Sequence, residues 1–586
     1  MYKSLSYIDI IVFALSLIAL NMKNTFALLL FAFVVVSCIP KRASVMINPS
    51  CSGKPPKFSN ESILLGEMTS FRSCYDVYYY DLYLNINPNE KLLDGEVIMF
   101  ASMLKESDTL QIDLDDTFKI KELVNANTGE PLSYWRKERA VFISFKKNVG
   151  EKFAIKIKYE GHPHIAKKPP WNGGWIWSKD KNKKPWVGVA CESDGASLWW
   201  PLKDHIADEP DSVRMHYTVP KGLIAVGNGQ FEGEIQNRDS TTFNWYVSYP
   251  INTYNVTVYI GDYLTIKDNY QGIGGRELEI SHYVLKDNYE KAKTHFAQIH
   301  KILKVFEERF GEYPWYNDGF KLVESPYAGM EHQTAIAYGN DYINFLDSTD
   351  YIILHETAHE WWGNSVSVKD MADVWIHEGF ATYSEALYFE YYNDKDFYDR
   401  YLSAYQPLIK NEYPVVGIKD RRWFDAEKNA DVYTKGAWIL HSLRSQINND
   451  SLFFDILKSF YENNKMQIID SRSFIDLVNA KTNTDYEWFF KQYLFNNFSP
   501  ELEYEISYTG KVFYRWDKVG EDFDKLKVEI KAGEELFNII PSTEVKSFQL
   551  KEKIDGKWQF TIDNSVLYTL KHSPNLFSVN TYNRHK

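Results

Sequence analysis

Two histidines four residues apart, His355 and His359, enclose a glutamate in the run His355-Glu356-Thr357-Ala358-His359. On a helix this spacing puts two imidazoles on one face, about 6 Å apart, within reach of a single tetrahedral Zn²⁺. Glu356, one position along, is turned off the metal axis and can take a proton from water in an open coordination position. A third protein ligand must come from elsewhere. Eighteen residues lie between His359 and Glu378. That is enough for a helix to end, a loop to turn and a second helix to return, so Glu378 in WIHEGFATYSE is the candidate. The chemistry would be metal-assisted hydrolysis with Glu356 as general base. The competing reading is a buried helix whose histidines are hydrogen-bonded and metal-free; the second motif, in the expected order, argues against it.

HETAHEWWGN followed by WIHEGFATYSE resembles the zinc site of the aminopeptidase N family of gluzincins. The resemblance implies one Zn²⁺ per chain, with His355, His359 and Glu378 as ligands and Glu356 as base. Residues 325–333, SPYAGMEHQ, resemble the family's Gly-x-Met-Glu-Asn exopeptidase motif. Here Ala328 stands at the first glycine and His332 replaces asparagine, while Glu331 is kept 24 residues before His355. Residues 432–437, VYTKGA, resemble a Tyr-x-Lys-Gly-Ala segment whose tyrosine points at the zinc, which makes Tyr433 an oxyanion donor. Counting back from Pro201, Glu192 falls where the family places a residue, often Gln, that grips the substrate's N-terminus. The resemblance thus implies that Gly329, Met330, Glu331 and Glu192 bind peptides with a free α-ammonium. Glu385, seven positions after Glu378 on the same helix face, could orient a ligand histidine, and Asp373 is a second candidate.

These residues need a scaffold. A chain of 586 residues is too long for one core, so three or four domains are expected. From Tyr75 the sequence alternates in strands with turn residues between them, as an antiparallel β domain would. After Asp287 it takes up helical periodicity, with an apolar stripe through Phe296, Ile299, Leu303, Phe306 and Phe310 closed by Gly311. Beyond Ser499 alternation returns. The expected fold is α+β and multidomain: an N-terminal antiparallel β domain (71–267), a mainly helical catalytic domain (268–498) that the resemblance makes thermolysin-like, and a small C-terminal β-sandwich (499–586). Residues 38–70 are polar and read as a tether. His162-Pro163-His164 reads as a loop, not a metal site.

The N-terminus holds two apolar runs, 8–20 and 26–36. The second, MKNTFALLLFAFVVVSC from Met22, has the parts of a secretory signal, and Met22 is an alternative start. Val35-Val36-Ser37-Cys38 resembles a bacterial lipoprotein cleavage box, implying a lipidated Cys38; the other reading is an uncleaved membrane anchor. Either places the protein outside the cytoplasm, held to a membrane. The remaining cysteines, Cys51, Cys74 and Cys191, are too few and scattered for a disulfide framework. A net charge of −13 argues against nucleic acid as a partner.

The function expected is a zinc-dependent aminopeptidase. The alternatives are an endopeptidase or an epoxide hydrolase on the same zinc site, or a surface lipoprotein that binds peptides without turnover.

Overall fold

The computed structural model describes residues 58–345, 349–422, 429–562, 565–574 and 576. The leader, the Met22 start, Cys38 and Cys51 lie outside the described residues. Cys74 and Cys191 are buried free thiols. Among the described residues no helix is long and apolar enough to cross a membrane.

Alternation of apolar and polar residues from Tyr75 produces a seven-stranded sheet. Its order is Gln230–Gln236, Ser240–Val247, Ser212–Pro220, Tyr75–Asn87, Leu92–Met103, Lys152–Gly161 and Phe118–Asn125. The sheet is not purely antiparallel. Tyr75–Asn87 runs parallel to Ser212–Pro220, in register from Tyr79 opposite Ser212. Such a pairing needs a long crossover, and the more than 120 residues between the two strands supply it. A three-stranded sheet (Thr109–Asp113, Ala140–Ser144, Tyr134–Lys137) and a four-stranded sheet (Ile224–Val226, Tyr259–Gly261, Pro185–Ala190, Gly174–Lys179) complete this β region. All three sheets share one apolar core.

The polar stretch read as a tether is described from residue 58 onwards. Asn60–Gly66 forms helix α1, capped by the Ser59 side chain on Ser62 N. Arg139 pairs with Glu61, and Ser62 Oγ donates to the carbonyl of Arg422. Leu65 is buried. The Ser-x-x capping pattern was present in the sequence, but a single short turn of helix is hard to distinguish from polar linker.

Residue 268, the expected start of the catalytic region, lies inside a strand. Strand Tyr263–Gln271 pairs antiparallel with Glu277–Leu285, and both belong to a five-stranded sheet continued by Leu322–Glu324, Ile336–Tyr338 and Gly329–Met330. Gly329–Met330 is the edge strand, and Met330, Ala335 and Ala337 pack into the core of the N-terminal β region. The helical stretch is divided: α2 (Tyr289–Phe296) and α3 (Ile299–Phe310) are separate, though the whole stripe is buried and α3 ends at Gly311. Then follow α4 (Tyr351–Ala358), α5 (Trp375–Tyr392), α6 (Lys395–Tyr405), α7 (Thr434–Ile447), α8 (Asp450–Asn464), α9 (Ser471–Thr482) and α10 (Glu487–Phe495). Every residue of α4 is buried, the polar His355, Glu356 and Thr357 included. The C-terminal region is a β-sandwich of a four-stranded sheet (Lys546–Gln549, Lys511–Asp517, Glu501–Ile506, Thr569–His572) and a three-stranded sheet (Glu535–Ile539, Val528–Ala532, Thr561–Ile562).

Candidate metal centre

Asp350 caps α4, accepting from the backbone N–H of Ile352 and Ile353, and so fixes the turn from which His355 projects. His359 follows as the C-cap of the same helix. Glu378 comes from the first turn of α5. The three side chains converge: His355 Nε2 and His359 Nε2 lie 3.2 Å apart, and Glu378 Oε2 is 3.5 Å from the first and 3.3 Å from the second. A tetrahedral zinc with bonds of about 2.0–2.1 Å has ligand-to-ligand edges of roughly 3.3–3.4 Å, so the triangle has the right size for that ion. The other imidazole nitrogens are engaged in the way such ligands require. His355 Nδ1 is 2.5 Å from Glu385 Oε1, and His359 Nδ1 is 2.9 Å from the Trp362 carbonyl.

Of the two candidates for orienting a ligand histidine, Glu385 does so and Asp373 does not. Asp373 accepts from the N–H and hydroxyl of Ser471 and reaches no metal-site residue. It sits in the short turn Met371–Asp373, just before α5 begins.

Glu356 borders the same pocket as Glu192, Gly329, Met330, Glu331 and Tyr433, with Trp171 and Tyr405 also in the wall. Gly329 is needed for this approach: a Cβ there would lie 2.6 Å from Glu356 Oε1. Glu331 is held from two sides, by Tyr254 OH on Oε1 at 3.0 Å and by Asn364 Nδ2 on its carbonyl at 2.8 Å. His332, where the motif has asparagine, is buried and 2.6 Å from Tyr259 OH. Glu192 arrives from the N-terminal β region on a loop fastened by Asp194, which accepts from Gly173 N, and by Asp204, which accepts from Ser197 N and pairs with Arg422. Glu192 Oε1 is buried without a hydrogen-bond partner.

The contact that brings Tyr433 to this site is made by two glycines. Gly379 on α5 and Gly436 on α7 meet backbone to backbone, and a Cβ on Gly379 would stand 2.9 Å from the Gly436 Cα. Each lies close in sequence to a functional side chain, Gly379 next to Glu378 and Gly436 three residues after Tyr433. The Tyr433 ring stacks on His355 at 6.1 Å.

Four carboxylates, three of them buried, line this pocket with two histidines, and among the described residues no lysine or arginine does. Burial pushes Glu356 up to about 8; His355 and His359 oppose that push, and Glu331 and Glu378 add to it. Glu192 is pushed well above the carboxylate range by burial and then by Glu331, Glu378 and Glu356. Burial also raises Glu331, with His359 opposing and Glu378 reinforcing. Burial opposes charge on His359, yet Glu378 and Glu331 outweigh it and raise the imidazole to about 9. Glu378 is the exception: burial would raise it, but His359 and His355 hold it well below the carboxylate range. The other three carboxylates are short of positive charge. The His355–His359–Glu378 triangle has the donor set for one cation, and Glu192 and Glu331 line the same pocket.

Residues 295–493 match the family model described as the peptidase family M1 domain. The chain carries a peptidase family M1 domain. The M1 segment thus spans the metal triangle, Glu331 and Tyr433. Over 455 residues the chain is 21% identical to aminopeptidase N of Escherichia coli, covering 70% of this chain and 49% of that protein. It is 24% identical over 344 residues to leukotriene A-4 hydrolase of Xenopus laevis, covering 54% of this chain and 51% of that one. The chain therefore spans about half the length of these curated relatives. In fold it is similar to an M1 zinc metallopeptidase of Deinococcus radiodurans solved with a Tyr-Ser-Ala substrate, with a TM-score of 0.64 and 19% identity, covering 74% of this chain and 98% of that one.

Tyr254, Tyr401 and Tyr405 also hold site carboxylates, and nothing local in the sequence marks them. Tyr254 lies in INTYN, which carries no pattern, and tyrosines spaced by four on an amphipathic helix read as core. Asn364 stands within HEWWGN and was available to find.

Proposed function

We propose that the protein is a zinc aminopeptidase that removes the N-terminal residue from peptides. The observation that carries this reading is the pair Glu192 and Glu331, lining a pocket with no lysine or arginine among its described residues, beside a three-ligand centre of zinc dimensions. Zinc at that centre supplies polarisation of the scissile carbonyl and acidification of water towards neutral pH. Glu356 takes a proton from the attacking water and later hands one to the leaving amine. Tyr433 remains a phenol, because burial and then the charge of Glu378 push its pKa well above the ordinary value, and it donates to the developing oxyanion. Glu331, steadied by Tyr254, and Glu192 accept the α-ammonium, which is mostly charged at neutral pH given its pKa of about 8. An internal peptide bond offers no cation to these carboxylates, and this favours exopeptidase over endopeptidase action.

The test is cleavage of a panel of aminoacyl reporter substrates, free and N-acetylated, with and without chelator. Free substrates should be turned over, acetylated ones spared, and chelator should stop the reaction until zinc is returned. Equal rates on free and acetylated substrates would refute the exopeptidase reading.

The apolar run before Cys38 supports an exported protein held to a membrane by a lipid on that residue. A mature protein beginning at an unmodified Met1 would refute this.

A further inference from the structure

His355 can bind a metal through Nε2 only if Nδ1 carries the proton, and Glu385 Oε1 is the acceptor of that proton's hydrogen bond at 2.5 Å. Glu385 is fully buried, so its second oxygen needs partners of its own. It has two. Tyr401 OH lies 2.5 Å and Tyr405 OH 2.9 Å from Oε2. Both tyrosines are on α6, one turn apart, and both are buried. Burial and then the charge of Glu385 push both phenols well above the ordinary tyrosine value, so both stay donors. Glu378 and Glu385 lie two turns apart on α5, so the third ligand and the carboxylate that orients the first share one rigid element. Tyr405 also lines the substrate pocket.

From this geometry we propose that Tyr401 and Tyr405 are positioning residues of the metal centre: they fix Glu385, which fixes His355 for zinc. The proposal rests on the metal reading of the His355–His359–Glu378 triangle. It makes α6, a helix outside every motif, part of the apparatus that sets zinc affinity. It also gives the pocket wall a physical link to the metal, because the phenol of Tyr405 belongs to both.

The experiment is zinc titration of metal-stripped full chain against a competing chelating dye. The proteins are wild type, Tyr401→Phe, Tyr405→Phe, the double variant and Tyr398→Phe. Tyr398 is the control: it is on the same helix and buried, but its hydroxyl meets Tyr383 and His441 instead of Glu385. Loss of partners behind a metal ligand typically weakens binding about tenfold to a hundredfold. The double variant should lose that much zinc affinity, each single variant less, and Tyr398→Phe none, whatever it costs in melting temperature. Cobalt-loaded double variant should also show a shifted visible spectrum, since a freed His355 ring changes the ligand field. A folded double variant with wild-type zinc affinity overturns the proposal. If the double variant does not fold, unchanged affinity in both single variants overturns it. Wild type that binds no zinc overturns the metal reading, and this proposal with it.

Discussion

Among the described residues, acidic side chains bring donor atoms close enough together to hold a metal in two places, and these are built on opposite electrostatic terms. One is the triangle of His355, His359 and Glu378 with the pocket carboxylates around it. The other is Glu501, Glu503 and Asp517 on the C-terminal β-sandwich. In the second, neighbouring strands deliver cations to every carboxylate. Lys571 Nζ lies 3.2 Å from Glu501 and 2.9 Å from Glu503, Lys518 pairs with Glu501, and Arg515 pairs with Glu503. Partial burial would raise Glu501 and Glu503, but these partners hold both below the usual carboxylate range. In the first cluster no lysine or arginine lines the pocket among the described residues, so burial and the neighbouring carboxylates raise Glu192, Glu331 and Glu356. Closeness of carboxylates is common to both. What separates them is whether the chain supplies the balancing charge itself or leaves it to a ligand.

The largest expected effect comes from Glu356→Gln, which removes the base and leaves the triangle intact. Turnover should fall by about 10²–10⁴-fold while zinc content stays at one per chain, measured by steady-state kinetics and elemental analysis. Tyr433→Phe should lower kcat by about 10²–10³-fold, again with metal retained. Glu331→Ala should lower kcat/KM on free aminoacyl substrates by on the order of a hundredfold, the cost of leaving a buried charge unpaired. Its preference for free over acetylated substrates should shrink in step. Lys571→Ala should do least: a small, salt-sensitive shift in melting temperature and no gain of a second zinc, since Lys518 and Arg515 remain. Two zinc ions per chain in wild type would erase the contrast between the clusters.

The metal triangle was legible because its residues repeat at helical spacing within one segment and a second segment follows at a fixed distance. Glu385 was legible for the same reason, as a position on the same face of α5. The groups that hold Glu385 and Glu331 were not. Tyr401, Tyr405 and Tyr254 act through long-range contacts, and a tyrosine in a chain with 41 of them carries no mark of its partner. The fold class was readable from the change between alternation and helical periodicity. The parallel pairing of Tyr75–Asn87 with Ser212–Pro220 was not, because strand direction is a property of the crossover and leaves no trace in local alternation. Helix α1 escaped for a different reason: its stability comes from Arg139 and Arg422, both far away in sequence.

The meeting of Gly379 with Gly436 leaves no space for even a methyl group between α5 and α7. An alanine at either position would act as a wedge, and the first thing it would part is Tyr433 from Glu378. The two histidines, held by α4 and by their own acceptors, would keep their places. One added carbon, some distance from the reacting bond, would therefore yield a protein that still loads its metal and no longer turns over.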